Sequence, residues 1–459
     1  MKAGRITAIG ILAIILTWEI LFSLNLIDSS RFSHPLATIQ ALRDAAFLHG
    51  LGILLRDVIV VSFLATLIGL ALAVIVTPGN WLINATRRFL RLCVWAPFFI
   101  LWAIPYWPLG TPTTVVSLFT WHRFLVLRED GSLPWSRMLL EVSRPAILHA
   151  LLFYLLFEVG TEVGWLGFIK DVDGAYAVFI TTVMLVYLVN RLFRSYFFNQ
   201  AELERTVLLK GIAHAGNGSL WGAALLTICY LAVWQIFPSL ASRYFNVGSP
   251  MDVVKASYLI LAGERLFADV GISLLEVLAG LFLSGTIAVL VTRIISGKGS
   301  PRNFLLAFLP ITFIAPITIR LIEFYWSGMI FGDVRFYLVD WQIYPWATTL
   351  DVALLSFYPF ILTLWGLRNY VFQFRLLLAA DAALPYAFLA MLFGEMMSAT
   401  KGVGLYIILG RNVSPTDRFW ANGALGLSLL VFTLLVILSI LLRSFAKRCA
   451  LIGTQSTAT

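Results

Sequence analysis

The chain has 459 residues, 60% of them hydrophobic and only 12% charged, with a formal net charge of +9. A soluble domain carries about a quarter charged residues, so this composition excludes a water-soluble globular protein. The positive balance does not point to nucleic acid, because Lys and Arg stand at the ends of apolar runs and form no basic face.

In chain order, apolar runs cover 6–27, 58–77, 92–110, 112–127, 145–160 and 175–193 in the first half. The second half has runs at 220–241, 270–292, 304–324, 346–366, 376–398 and 421–442. Inside lipid a helix satisfies its own backbone polar groups, and about 20 apolar residues cross the hydrocarbon core. The runs therefore predict an all-α, polytopic membrane protein of about twelve transmembrane helices. The opening Met1-Lys2-Ala3-Gly4-Arg5 leads into the first run with no clean small-residue cleavage site, which reads as a retained span. Most Lys and Arg, including Lys2, Arg87, Arg144, Arg293, Arg368 and Lys447, fall on one side if both termini are cytoplasmic. Cys93, Cys229 and Cys449 lie in or beside apolar runs without metal-ligand spacing and read as packing residues.

The halves can be laid over each other. Trp18-Glu19-Ile20 falls opposite Trp234-Gln235-Ile236, and His34-Pro35 opposite Ser249-Pro250. Gly52 and Asp57 fall opposite Gly271 and Glu276. Glu158 and Gly167 fall opposite Glu395 and Gly404 at the same spacing. The shared order predicts two parallel repeats, 1–210 and 211–459, each with an even number of spans and with a pathway between them.

No enzyme signature is found. The five histidines do not pair at metal-ligand spacing, there is no P-loop, and Gly402-Val403-Gly404 is too short for a nucleotide loop. The chain is expected to be no enzyme and to bind no cofactor directly. Ionisable residues in or near spans are the default functional candidates, because their burial in lipid is expensive. Glu158 and Glu395 form the leading pair. They either line or gate a pathway, together with Gly167, Gly402 and Gly404, or pin a turn by accepting backbone N–H bonds, or simply face water. Asp57 and Glu276 form a second pair, placed at the rim of a span where a carboxylate also favours a helix N-terminus. Gly160, Gly167, Gly280 and Gly285 are candidates for close helix approach.

The Trp-Glu-Ile and Trp-Gln-Ile ends, the Ser273-Leu274-Leu275-Glu276-Val277-Leu278-Ala279-Gly280 start of a span, and Glu395 followed by Gly402-Val403-Gly404-Leu405-Tyr406 carry a resemblance. The chain resembles permease subunits of bacterial ABC importers of the nitrate, sulfonate and taurine type, with two copies fused. That resemblance implies a multi-pass protein of the bacterial inner membrane passing a small, anionic solute between its halves. It also implies an extracytoplasmic binding protein, and cytoplasmic ATPase subunits through which ATP would act. Two departures stand out. Glu276 and Asp57 occupy a position where the family has Arg. The coupling loop that receives the ATPase is reduced to remnants, Arg144-Pro145 in the first half and Asp381 to Pro385 in the second. The departures leave a second reading open, a structural or regulatory membrane subunit on a permease scaffold without ATP-driven transport.

Overall fold

The computed structural model describes residues 34–75, 110–130, 134–157, 248–262, 266–296, 346–398, 402–404, 406 and 419–455, with short helical stretches near 16–20, 177–185 and 225–236. Among them are a short helix α1 (Pro35–Leu42) and three longer ones, α2 (Ala45–Ile75), α3 (Gly110–Asp130) and α4 (Trp135–Phe157). After these come α5 (Pro250–Leu261), α6 (Leu266–Ser296), α7 (Trp346–Gly366), α8 (Phe372–Ser398) and α9 (Phe419–Gln455). The described residues contain no strand.

Five of these helices, α2, α6, α7, α8 and α9, are long and apolar enough to cross a membrane. They answer to the apolar runs at 58–77, 270–292, 346–366, 376–398 and 421–442. The runs at 112–127 and 145–160 are helical as α3 and α4, and neither is among the five candidate spans found in the described residues. The runs at 6–27, 92–110, 175–193, 220–241 and 304–324 fall wholly or mostly outside the described residues.

The distribution of polarity is that of a helix bundle in lipid. Leu275, Leu278 and Phe282 lie on one face of α6 at i, i+3 and i+7, and all are exposed, Phe282 to 78%. Ile59 and Phe63 on α2 and Ile437, Ile440 and Leu441 on α9 are likewise exposed. Soluble monomers rarely expose apolar surface on this scale. Meanwhile Ser273, Glu276, Ser284, Asp381 and Glu395 are buried. Hydroxyls on the helices turn back to their own backbone, as Ser62 to the Val58 carbonyl, Ser257 to Val253, Ser356 to Val352 and Thr433 to Leu429. A hydroxyl satisfied in this way needs no water.

Two groups of helices pack closely. In the first, α2, α3 and α4 lie against one another. Thr120 on α3 donates to the Ala65 carbonyl on α2 at 2.7 Å, beside Gly69. In the second, α7 lies between α6 and α8, and α9 packs on α8 and α5. The face of α7 formed by Val352, Leu355, Tyr358, Ile361 and Leu362 is almost fully buried. Ser249 caps α5 with a reciprocal capping box to Asp252, and Pro250 occupies its first turn.

Of the glycines expected at close crossings, Gly280 marks where α6 meets α7. A Cβ there would stand 2.4 Å from Val352 Cγ1 and 2.9 Å from the Thr349 carbonyl oxygen. A backbone atom cannot swing aside, so the helices would have to separate. Gly280→Val is expected to cost about 1–3 kcal/mol, the usual range for overpacking. It should lower the thermal midpoint of the detergent-purified protein. Gly285→Ala, where a Cβ meets only the outer edge of the Phe360 ring at 3.0 Å, should cost less. Equal midpoints for the two variants would contradict this reading of the crossing.

Candidate functional site

The most unusual feature of the described structure is a buried group of carboxyls between α6, α7 and α8. On α6, Asp269, Ser273 and Glu276 follow at i, i+4 and i+7 and so share one face. Asp269 is 8% exposed, Ser273 0% and Glu276 1%. Glu395, near the end of α8, is fully buried, and Asp351 of α7 lies nearby against Gly394 of α8. Isolated charges in such a place are costly, so each must find donors or be neutralised.

Asp269 and Glu395 find donors in the turn that follows α8. Gly402 has φ +92°, a left-handed conformation that glycine adopts without strain. From there three successive backbone N–H groups point into the site. Gly402 donates to Asp269 Oδ1 at 3.1 Å, Val403 to Ser273 Oγ at 3.1 Å and Gly404 to Glu395 Oε2 at 2.7 Å. Ser273 in turn donates its hydroxyl to Glu395 Oε1. Tyr406 donates to Asp269 Oδ2 at 2.8 Å, and its ring stacks on Trp420 at the start of α9. The turn is thereby fastened to α6, α8 and α9 at once. Glycine at 402 is demanded by space as well as by φ, since a Cβ would stand 2.4 Å from Glu395 Oε1.

Glu276 is different. Both of its carboxyl oxygens are buried and neither receives a hydrogen bond from a donor. It lies within hydrogen-bonding reach of the carboxyl of Glu395, and the charge of Asp351 also acts on it. The expectation that Glu276 and Asp57 sit at the rim of a span, capping a helix, is corrected here. Helix α2 begins at Ala45 and α6 at Leu266, so both acids lie about three turns inside their helices. Asp57 is absorbed there by an ion pair with its neighbour, Arg56 Nη2 lying 2.8 Å from Asp57 Oδ1. Its partly exposed environment has nothing in common with that of Glu276.

The segments expected as coupling-loop remnants also lie elsewhere than in loops. Arg144 and Pro145 are in the body of α4, where Arg144 pairs with Glu141 at 2.7 Å and His149 Nδ1 lies 2.7 Å from the Pro145 carbonyl oxygen. Asp381 and Pro385 are in the body of α8. Asp381 is 3% exposed and faces α9, where Arg443 Nε lies 2.6 Å from Asp381 Oδ2 and Ser439 donates to Asp381 Oδ1. The Arg443 contact is an ion pair by distance, its N–H not aligned on the oxygen. Continuous helical backbone carries both segments, and apolar flanks such as Leu376-Leu377-Leu378 extend α8 past the charge.

Glu158 and Gly167 fall outside the described residues. Of the other candidates, the structure brings Glu276, Glu395, Gly402 and Gly404 into one site and leaves Asp57, Arg144 and Asp381 in separate ion pairs. Asp269, Ser273, Asp351 and Tyr406 join the site without having been anticipated. The signal for the first two was present, because Asp269, Ser273, Glu276, Gly280 and Ser284 form one small and polar stripe along an otherwise apolar helix.

Chemically, the arrangement can anchor a turn and bind a positive species. Among the described residues no group of three or more His, Cys, Asp or Glu side chains is placed to hold a metal ion. Comparison with known proteins adds no assignment, since no family model, curated protein or solved structure matches the chain.

Proposed function

We propose that the chain is the membrane-spanning permease component of a solute transporter, built from two related halves and resembling the fused permeases of ABC importers. The observation that carries this reading is the anchoring of the Gly402 to Gly404 turn by Glu395, at the place where the resemblance puts its most specific residues. A turn tied to three helices is suited to holding one end of a pathway in a fixed shape. The duplication is supported by matching element lengths. Among the described helices of each half, a short helix opening on Pro comes first, followed by one of 31 residues, one of 21 and a Pro-containing one, α1 to α4 against α5 to α8. In this reading the protein has about twelve spans, sits in the bacterial inner membrane and keeps both termini in the cytoplasm. Four carboxyls beside α6 disfavour an anion passing along that face, so the anionic solute implied by the resemblance is not carried forward.

A second reading, a structural or regulatory subunit on a permease scaffold, is favoured by one observation. The Asp381 segment that would face an ATPase is turned inward to Arg443 and Ser439. Purification from native membranes in mild detergent separates the two. The permease reading expects an ATPase, with or without a solute-binding protein, to come down with the chain in constant proportion. Repeated isolation of intact chain in a complex that lacks any ATPase contradicts it and leaves the structural reading.

A further inference from the structure

We propose that Glu276 is a proton-binding site inside the bundle, its carboxyl holding one exchangeable proton that it donates to Glu395. The assignment rests on which carboxyls have donors, and it is independent of the transport reading.

Glu395 receives two hydrogen bonds, from the Ser273 hydroxyl and the Gly404 N–H. Asp269 also receives two, from the Gly402 N–H and the Tyr406 hydroxyl. Charge-assisted bonds of this kind are what a buried carboxylate needs to remain an anion. Glu276 has none, although both oxygens are fully buried. The group it reaches is Glu395, another acceptor. Two carboxylates cannot bond to each other, but a carboxylic acid and a carboxylate can, the acid supplying its O–H. One proton on Glu276 therefore satisfies the orphaned group and removes a like-charge contact in one step.

Among the described residues, the charged or titratable groups that face the pair are acidic or phenolic. They are Asp351 from α7, Asp269 from α6 and, on the far side of Asp269, Tyr406. A metal ion fits less well, since no set of three ligating side chains converges among the described residues. When the proton leaves, its bonding pair stays on Glu276, and a second negative charge then faces Glu395 across the α6–α8 contact. Proton exchange would so be coupled to how tightly the turn-bearing end of α8 sits on α6.

Infrared difference spectroscopy of the full-length protein, titrated in lipid or mild detergent, tests this. The wild type should show the carbonyl stretch of a neutral carboxylic acid at neutral pH, moved on exchange into heavy water and lost as pH rises. Glu276→Gln should abolish that band while keeping the fold, because its amide N–H can donate to Glu395 in place of the O–H. Its thermal midpoint should also change much less with rising pH than that of the wild type. Persistence of the band in folded Glu276→Gln, or its loss only in Glu395→Gln, would overturn the assignment. So would stabilisation by sodium at constant pH that disappears in Glu276→Gln, which would make the occupant a metal cation. If Glu276→Gln does not fold, the wild-type titration alone decides: no neutral-acid band at any pH at which the protein is folded overturns the proposal.

Discussion

Gly402→Val is expected to unseat the turn beyond α8 and to lower stability more than any other single glycine substitution in the described residues. Two separate costs combine. A β-branched residue at φ +92° is strained, and even an ordinary side chain in left-handed backbone costs about 1–2 kcal/mol. The new Cβ would also stand 2.4 Å from Glu395 Oε1, and the carboxylate cannot move away without giving up Ser273 and Gly404. A buried carboxylate that loses a donor costs about 1–3 kcal/mol more. Gly271→Ala is the matched control. It lies on α6 within a turn of Asp269, has nothing within 4 Å of its added Cβ, and should be neutral or slightly stabilising. Thermal midpoints of the two purified variants give the comparison. A Gly402→Val protein as stable as Gly271→Ala would mean that the turn is not held as described.

Arg443→Met should be the second large loss. It removes the partner of Asp381, which is 3% exposed and lies between α8 and α9. Breaking one side of a buried ion pair typically costs about 3–5 kcal/mol, because an uncompensated charge is left behind. Ser439 still donates to Asp381 and softens this only in part. Adding Asp381→Leu should recover most of the loss, since replacing both partners by apolar groups is often close to neutral. Denaturant or thermal titration of both variants checks the cycle. If the double variant is no better than Arg443→Met, the pair is not the tie between α8 and α9. The result also bears on function. A residue consumed in holding two helices together is poorly placed to receive a motor subunit.

These two sites show what the sequence makes legible and what it hides. The apolar runs locate α7, α8 and the start of α9 to within a few residues, because a span must be long and apolar wherever it lies, while α9 continues past its run to Gln455. The starts of α2 and α6 are hidden, because charged residues lie inside the helices, Arg56 and Asp57 in α2 and Asp269 and Glu276 in α6. Arg56 and Asp57 look like a boundary, yet they neutralise each other side by side and the helix runs through them. Asp269 and Glu276 look like a polar edge, yet both are buried in the bundle and Asp269 holds the turn. Charge marks a helix end only when nothing in the fold can satisfy it. For the same reason, Asp381 to Pro385 reads as a loop remnant in sequence and is helix in the structure, its one acid being answered by Arg443 more than 50 residues later.

The proposed repeat does not extend to the buried site. Laid over the second half, the first has Gly50 and Leu54 where Asp269 and Ser273 stand, and only Asp57 opposite Glu276. Trp165 stands where the second half has Gly402. The residues that build the buried site are thus largely private to one half. Alignment of the halves draws the eye to what they share and away from what makes this site.

Solute uptake by proteoliposomes holding the chain with the partners that purify with it separates a permease from a structural subunit. ATP-dependent accumulation of solute by the wild-type complex is expected, reduced to background by Gly402→Val and retained in Gly271→Ala. An intact, ATP-hydrolysing complex that accumulates nothing from a broad mixture of small solutes would contradict it, and the chain would then be a structural subunit on a permease scaffold.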